Sequence, residues 1–314
     1  MQRTGWAMNA LYSFLLVMVS SAAQSSTAGY FVGNSLTWDS QPNGVAALAN
    51  ENGHPLTVGY HIRSNSSLDY IWNNPDDITI TNAFGGYSGA LPNNAWDFVT
   101  IQPFHSVDST LSLDAQRILD VIALNESGPS TSTKYYIYEA WPRQPGDYKA
   151  LWAQSVADVP DQQTVLAREY FDHLYDNVAS TLGGSTSLHV IPIGEVLYEL
   201  DLLFESGATP GFADVNQLFR DNNHLDTDIG RWVAANTVYA TIFKEDPTGL
   251  MKPTGYYPPV GDTLLTDELN AQIQSVVWNV VSNDIHTGVV PVPAAVWFLG
   301  CGFIGLLSVS KRKI

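Results

Sequence analysis

Short apolar segments alternate with amphipathic ones along most of this 314-residue chain. The apolar segments have the length and the aromatic and β-branched content of buried strands, and they cover residues 30–32, 56–62, 98–102, 134–138 and 188–193. The amphipathic segments predict helices over 113–124, 164–182, 228–243 and 267–281, the last with Thr266 as its N-cap. This alternation predicts the α/β class: a mainly parallel sheet with helices on both faces.

Two segments lack a clear period. Residues 74–96 are rich in Asn, Gly and Pro and predict a long loop or a small hairpin. Residues 244–265 carry several Pro and Gly residues and predict an extended connection. Because neither segment looks like a boundary between two cores, we expect one domain over residues 29–288.

Composition limits the partners of this domain. Hydrophobic residues make up 45% of the sequence, which is ample for a large core. The chain has 31 acidic and 14 basic residues, for a formal charge of −17. A nucleic-acid-binding protein would be expected to present a basic face, so the composition argues against a nucleic-acid partner.

The N-terminal segment has the order of a secretory signal peptide. Arg3 precedes an apolar run over 10–19, and small residues follow over 20–28. Cleavage after Ala23 or after Ala28 would satisfy the small-residue rule. We therefore expect residues 1–28 to direct export, with a buried N-terminal helix as the alternative.

The C-terminal segment predicts a membrane helix. Residues 294–309 are apolar or small, and the basic residues 311–313 follow at once. Together with Val-Pro-Val-Pro at 290–293, the segment 289–314 resembles the PEP-CTERM sorting signal of Gram-negative bacteria, with Val292 where that family usually has Glu. The resemblance implies an exosortase-type processing enzyme as a partner and a location on the periplasmic side of the inner membrane, or release to the cell surface after sorting. A simple tail anchor is the alternative.

Two short motifs carry chemistry. Ser35 lies just past the first predicted strand, in Gly-Asn-Ser-Leu-Thr at 33–37, and His224 lies in Asp-Asn-Asn-His at 221–224. A serine hydroxyl needs a base to take its proton, and the base needs a carboxylate to orient it. Active groups of parallel sheets gather at the carboxyl ends of the strands, where Ser35 and Gln102 are expected. Taken alone, Ser35 would be better explained as a cap of the helix after the strand.

These motifs resemble the first and last conserved blocks of the SGNH (GDSL-type) hydrolases, in the branch related to carbohydrate esterases. The resemblance covers roughly residues 29–245. It implies a three-layer α/β/α sandwich with a five-stranded, flavodoxin-like sheet and no cofactor. It also implies a catalytic triad in which Ser35 is the nucleophile, His224 the base and Asp221 the residue that orients it.

The intermediate blocks of the family match less closely. The resemblance implies an oxyanion hole formed by the Ser35 amide, the Ser66 amide and the Gln102 side chain. Ser66 stands where the family usually has Gly, so the backbone angle required at this position is expected to be less favourable for the serine. Asn65 is the alternative donor at this position. Gln102 stands where the family usually has Asn, and its amide can donate the same bond.

Other residues leave alternatives open. Asp226 or Asp228 could orient His224 in place of Asp221. The aromatic or imidazole side chains of Trp38, Phe104, His105 and Trp141 could line a cleft suited to a sugar ring, or simply pack in the core. The seven His residues show no metal-ligand spacing, so no metal is expected.

The resemblance implies an exported serine esterase that forms an acyl-enzyme. An acylated glycan, above all one that carries O-acetyl groups, is the expected substrate. A lipase or arylesterase acting on lipids or small esters is one alternative. A surface glycan-binding protein on a decayed hydrolase fold is the other.

Overall fold

The computed structural model describes residues 26–104, 109–143, 146–158, 165–225, 229–253, 256 and 265–289. The predicted sorting segment, apart from Val289, and residues 1–25 of the predicted signal peptide lie outside these ranges. Within them, no helix has the length and apolar character needed to cross a membrane.

Five strands form one parallel sheet: β1 (Thr27–Gly33), β2 (Leu56–Ile62), β3 (Phe98–Ile101), β4 (Lys134–Glu139) and β5 (Ser187–Pro192). Their order across the sheet is β2-β1-β3-β4-β5, and every pairing is parallel. The predicted α/β class and flavodoxin-like sheet are confirmed. The strands read as nearly continuous apolar runs because helices cover both faces of the sheet.

β1 begins three residues earlier than predicted. Thr27 and Ala28, assigned from the sequence to the signal peptide, pair with Leu56 and Thr57 of β2. Cleavage after Ala23 would therefore leave the strand intact, whereas cleavage after Ala28 would remove its first two residues.

The helices of the described residues differ widely in length. They are α1 (Ser35–Asp39), α2 (Pro42–Glu51), α3 (Leu68–Asn73), α4 (Tyr87–Asn93), α5 (Leu111–Glu126), α6 (Tyr148–Trp152), α7 (Arg168–Leu182), α8 (Ile193–Glu205), α9 (Ile229–Phe243) and α10 (Asp267–Asn283), with short 3₁₀ turns at Val156–Asp158 and Val215–Leu218. α5, α7, α9 and α10 confirm the four predicted helices, and Thr266 caps α10 by accepting a hydrogen bond from Leu269 N.

The helices form two layers. α2, α8, α9 and α10 contact one another in one layer, and α3, α4, α5 and α7 form the other. α9 is buried on nearly all sides. The hydroxyl groups of Thr237 and Thr241 each donate a hydrogen bond to the backbone carbonyl four residues earlier in the helix. Since α9 contacts α2, α8 and α10, it ties its layer together.

The predicted loop over 74–96 is partly wrong, because α4 lies inside it. α4 has only seven residues and contains Pro92, so it lacks the length from which a helical period can be recognised. Tyr87, Ala90 and Leu91 form its buried face.

A buried acid ends β4. Glu139 is 6% exposed and borders an acidic cavity of about 730 Å³. Its Oε1 accepts a hydrogen bond from Glu195 N at 2.9 Å. Burial raises the pKa of Glu139 well above its ordinary value, and the nearby carboxylates of Glu195 and Asp284 raise it further.

This raised pKa predicts that Glu139 makes the fold less stable at high pH. The unfolded chain ionises Glu139 near its ordinary pKa while the folded chain keeps it protonated, so the free energy of unfolding falls as pH rises above that value. We expect Glu139→Gln, which keeps the acceptor for Glu195 N, to be more stable than the wild type at pH 8 and of similar stability at pH 4. Urea denaturation at both pH values measures this.

Glu126→Gln, at an exposed position of α5, is the matched control and should show no such difference. A Glu139→Gln variant that is less stable than the wild type at pH 8 would show that Glu139 is ionised and required in the fold.

Candidate active site

The carboxyl end of β1 lies at the centre of the candidate site. Gly33 of β1 pairs with Ile62 of β2, and β3 ends directly before Gln102. The turn that carries Ser35 and the loop over 64–67 therefore start side by side, next to Gln102. This is the edge at which parallel sheets present their ligand-binding groups.

Gly33 leaves no room for a side chain at the strand end. A Cβ atom there would lie 2.1 Å from Thr37 Oγ1 and 2.9 Å from Gln102 Cβ. Glycine thus lets the strands and the Ser35 turn approach closely.

Asn34 fixes the turn before Ser35 from three directions. Its Oδ1 accepts a hydrogen bond from Leu36 N at 2.9 Å and so caps α1. Its Nδ2 donates to the Ser66 carbonyl at 3.1 Å, and its backbone N donates to Gln102 Oε1 at 3.0 Å. An aspartate could cap the helix but could not donate to Ser66, so asparagine joins the Ser35 turn to the loop after β2.

The structure brings Ser35, His224 and Asp221 together in one hydrogen-bonded row. His224 Nε2 lies 2.9 Å from Ser35 Oγ. His224 Nδ1 lies 2.9 Å from Asp221 Oδ2 and 3.0 Å from Asp221 Oδ1. In this geometry, the imidazole can accept the serine proton while the carboxylate fixes its tautomer and orientation.

Asp221 is held as a carboxylate. Its Oδ1 also accepts the backbone N–H groups of Asn223 and His224, both at 2.8 Å. Partial burial raises the pKa of Asp221, but these two amides and the His224 side chain lower it more, so that it lies at about 2. Asp221 is therefore charged throughout the neutral range.

Two buried side chains anchor the loop that carries His224. The indole Nε1 of Trp141 donates to the Asn223 carbonyl at 2.9 Å. Asp39 Oδ2 accepts a hydrogen bond from Leu225 N at 3.1 Å. The loop is therefore held on both sides of His224, which positions the imidazole toward Ser35.

Asp39 also forms a buried ion pair. Arg231 of α9 directs Nε and Nη2 at Asp39 Oδ1, at 3.1 and 2.9 Å. Burial raises the pKa of Asp39 to about 6, although Arg231, His224 and Arg220 lower it. Since Asp39 ends the helix that Ser35 begins, this carboxylate joins the Ser35 turn, the His224 loop and α9.

The loop after β2 has its left-handed residue at Asn65, not at Ser66. Asn65 has φ of 54°, a conformation that asparagine tolerates better than most residues. The unfavourable backbone angle expected for a serine at position 66 is therefore not present. Within the described ranges, neither the Ser35 N–H nor the Ser66 N–H donates to a protein acceptor.

Gln102 lies beside the Ser35 turn but is completely buried. Its Oε1 accepts from Asn34 N and from Thr37 Oγ1 at 3.1 Å, and its Nε2 donates to the Pro103 carbonyl at 2.5 Å. One of the two Nε2 hydrogens is thus engaged in supporting the local backbone.

The proposed cleft aromatics lie mostly in the core. Trp141 is completely buried and Phe104 is 4% exposed. Trp38 is half-buried and packs edge-on against Tyr60, with 5.4 Å between ring centroids. His105 lies outside the described residues.

The two rival carboxylates, Asp226 and Asp228, also lie outside the described residues. Within the ranges that the structure describes, no group of three or more His, Cys, Asp or Glu side chains could hold a metal ion.

Sequence reasoning missed Asp39 and Arg231. They lie 192 residues apart, and no short motif contains both. The one available signal was Arg231 itself, the single charged residue of the α9 segment. A lone charge in a buried helix needs a partner, but its identity depends on tertiary structure.

Comparisons with known proteins support the fold. No known protein family matches the sequence, and no curated protein is significantly similar. A similar solved structure is a DUF4886 family protein from Bacteroides uniformis ATCC 8492. The two share 16% sequence identity with a TM-score of 0.57, over 82% of this chain and 95% of that protein. At this identity, the likeness shows a common fold.

The Asp39–Arg231 pair generates a stability prediction. We expect Asp39→Asn to lower the free energy of unfolding by about 1–3 kcal/mol at pH 7.5, because it removes a buried carboxylate that accepts hydrogen bonds from Arg231 and from Leu225 N. Urea denaturation measures the loss.

The double variant Asp39→Asn/Arg231→Met separates the pair from its parts. Since both substitutions remove the same interaction, the loss in the double variant should be smaller than the sum of the two single losses, by at least about 1 kcal/mol. If the two single losses simply add in the double variant, the pair does not interact as described.

Proposed function

We propose that this chain is an exported serine esterase of the SGNH type that removes O-acetyl groups from a polysaccharide. The observation that carries the proposal is the continuous row from Ser35 Oγ through His224 to Asp221, with heavy-atom distances of 2.9–3.0 Å. The first and last sequence motifs of that hydrolase family supply these three residues.

In the first step, Ser35 Oγ attacks the ester carbonyl carbon while His224 Nε2 takes the hydroxyl proton. Asp221 stabilises the imidazolium that results. The tetrahedral intermediate collapses when the bond to the alcohol oxygen breaks, and His224 returns the proton to that oxygen. The products of this half-reaction are the free sugar hydroxyl and an acetyl ester on Ser35.

In the second step, water attacks the acetyl carbonyl carbon while His224 takes one of its protons. The bond to Ser35 Oγ then breaks, His224 returns the proton to that oxygen, and the product leaves as acetic acid, which ionises to acetate. The negative charge of both intermediates needs donors. The backbone N–H groups of Ser35 and Ser66 are proposed for this role, with the remaining Nε2 hydrogen of Gln102 as a third donor. Loss of one such donor typically costs roughly 3–4 kcal/mol of transition-state stabilisation.

Export and sorting belong to the same proposal. We propose that residues 1–23 or 1–28 direct export and that segment 289–314 is a sorting signal recognised by an exosortase-type enzyme. The enzyme would then act on the periplasmic side of the inner membrane or at the cell surface. A host that exports polysaccharide, as the sorting resemblance implies, would supply an acetylated substrate there.

Ser35→Ala tests the proposal directly. With p-nitrophenyl acetate as substrate and the purified full-length chain, we expect kcat/KM to fall at least about 1,000-fold, because the nucleophile is removed. Ser132→Ala is the matched control. Ser132 is exposed and lies two residues before β4, at the opposite edge of the sheet from Ser35.

Two outcomes would contradict the proposal. Unchanged hydrolysis in Ser35→Ala would show that Ser35 is not the nucleophile. A folded wild type that turns over neither this ester nor longer acyl esters would favour a glycan-binding protein on a decayed fold. Preference for longer acyl esters over acetyl esters would favour a lipase.

A further inference from the structure

A cavity of about 390 Å³ lies beside the candidate active site. It is lined by the loop over 63–67 and by α3 and its C-terminal end, including Tyr70, Asn73 and Asn74. Its size falls within the range of small-molecule binding pockets.

The cavity is joined to the Ser35 turn by hydrogen bonds. Arg63 N donates to the Gly33 carbonyl at 3.0 Å, and Asn34 Nδ2 donates to the Ser66 carbonyl at 3.1 Å. Gly33 and Asn34 immediately precede Ser35, and Ser66, whose N–H is a proposed oxyanion donor, lines the cavity. A ligand in this cavity would therefore lie next to an ester bound at Ser35.

The lining is polar, and its charges are already compensated. Arg63 Nε lies 2.8 Å from Asp77 Oδ2, and Asp69 Oδ1 accepts a hydrogen bond from Arg117 Nε at 2.9 Å. The remaining groups are mostly serine hydroxyls and asparagine amides, which donate and accept hydrogen bonds without net charge. Such a lining suits neutral hydroxyl groups and offers no apolar wall for a long acyl chain.

Tyr70 adds an aromatic surface to this polar lining. It is 40% exposed, unlike most large apolar side chains of the described residues. Its hydroxyl donates to Asp77 Oδ2 at 2.8 Å, and the guanidinium carbon of Arg63 lies 5.5 Å from its ring centroid. The ring is thus fixed in place, and a fixed ring can pack against the apolar C–H face of a sugar.

We propose that this cavity is a carbohydrate subsite that holds the neutral sugar next to the scissile ester, with Tyr70 as the stacking platform and Asn73 as a hydrogen-bonding residue. The inference rests on the proposed esterase function and specifies its substrate class: the alcohol part is a neutral glycan and the acyl part is short.

The test compares a glycan ester with a small ester. For the full-length chain, kcat/KM is measured on partially O-acetylated xylan and glucomannan and on p-nitrophenyl acetate, and the glycan-to-small-ester ratio is formed. We expect Tyr70→Ala to lower this ratio at least about tenfold, which corresponds to about 1.4 kcal/mol. Tyr70→Phe keeps the ring and should hold the ratio within about threefold.

Asn73→Ala provides a second variant at an exposed position, and it should lower the ratio in the same direction. Ser132→Ala, at the opposite edge of the sheet, should not. If neither Tyr70→Ala nor Asn73→Ala lowers the ratio, the subsite is wrong. Wild-type activity on p-nitrophenyl acetate with none on either glycan would also overturn it, while leaving the esterase proposal in place.

A wild type inactive on every ester would overturn the proposed function but still allows the subsite to be tested. Affinity electrophoresis in gels that contain the same two glycans measures binding without turnover. Retardation of the wild type that Tyr70→Ala abolishes would support the subsite. No retardation of the wild type would overturn it.

Discussion

A buried carboxylate needs hydrogen-bonding or charged partners, and Asp39 has them in two other parts of the fold. It belongs to α1, accepts the Leu225 amide from the loop that carries His224, and pairs with Arg231 of α9. A buried charge without partners would greatly destabilise the fold. The contacts of Asp39 therefore fix α1, the His224 loop and α9 relative to one another. The alignment of Ser35 with His224 depends on this arrangement.

Much of the fold could be predicted because buried parallel strands and long amphipathic helices leave strong periodic signals. The five strands and the helices α5, α7, α9 and α10 belong to this group. α8 was missed for a physical reason. It follows β5 with no intervening loop residues, so Ile193, assigned to the strand, is the first residue of the helix. The ten-residue helix α2 was also missed. It has no charged residue before its last position, so the sequence shows little contrast between a polar and an apolar face.

Some residues of the candidate site could likewise be predicted from the sequence, and others could not. Ser35, Asp221 and His224 could be predicted because each lies in a short motif whose chemistry is local. The packing of Trp141 and Gln102 could not be predicted, because it depends on tertiary structure. Trp141 contacts the His224 loop from the core, the one of its two expected placements that the structure shows, and Gln102 also accepts a hydrogen bond from the Ser35 turn. Tyr70, a residue without any motif, lies at the exposed position beside the site.

The separation of the triad along the chain has a consequence for the timing of folding. Ser35 and His224 are 189 positions apart, and the Asp39–Arg231 pair spans 192. Long-range contacts of this kind form late and slowly, because the intervening chain must be ordered first. A partly synthesised chain that ends before residue 221 has Ser35 but lacks Asp221, His224 and the Arg231 partner of Asp39. The proposed hydrolytic activity would therefore arise only once nearly the whole domain has been synthesised and has folded with α9 in place.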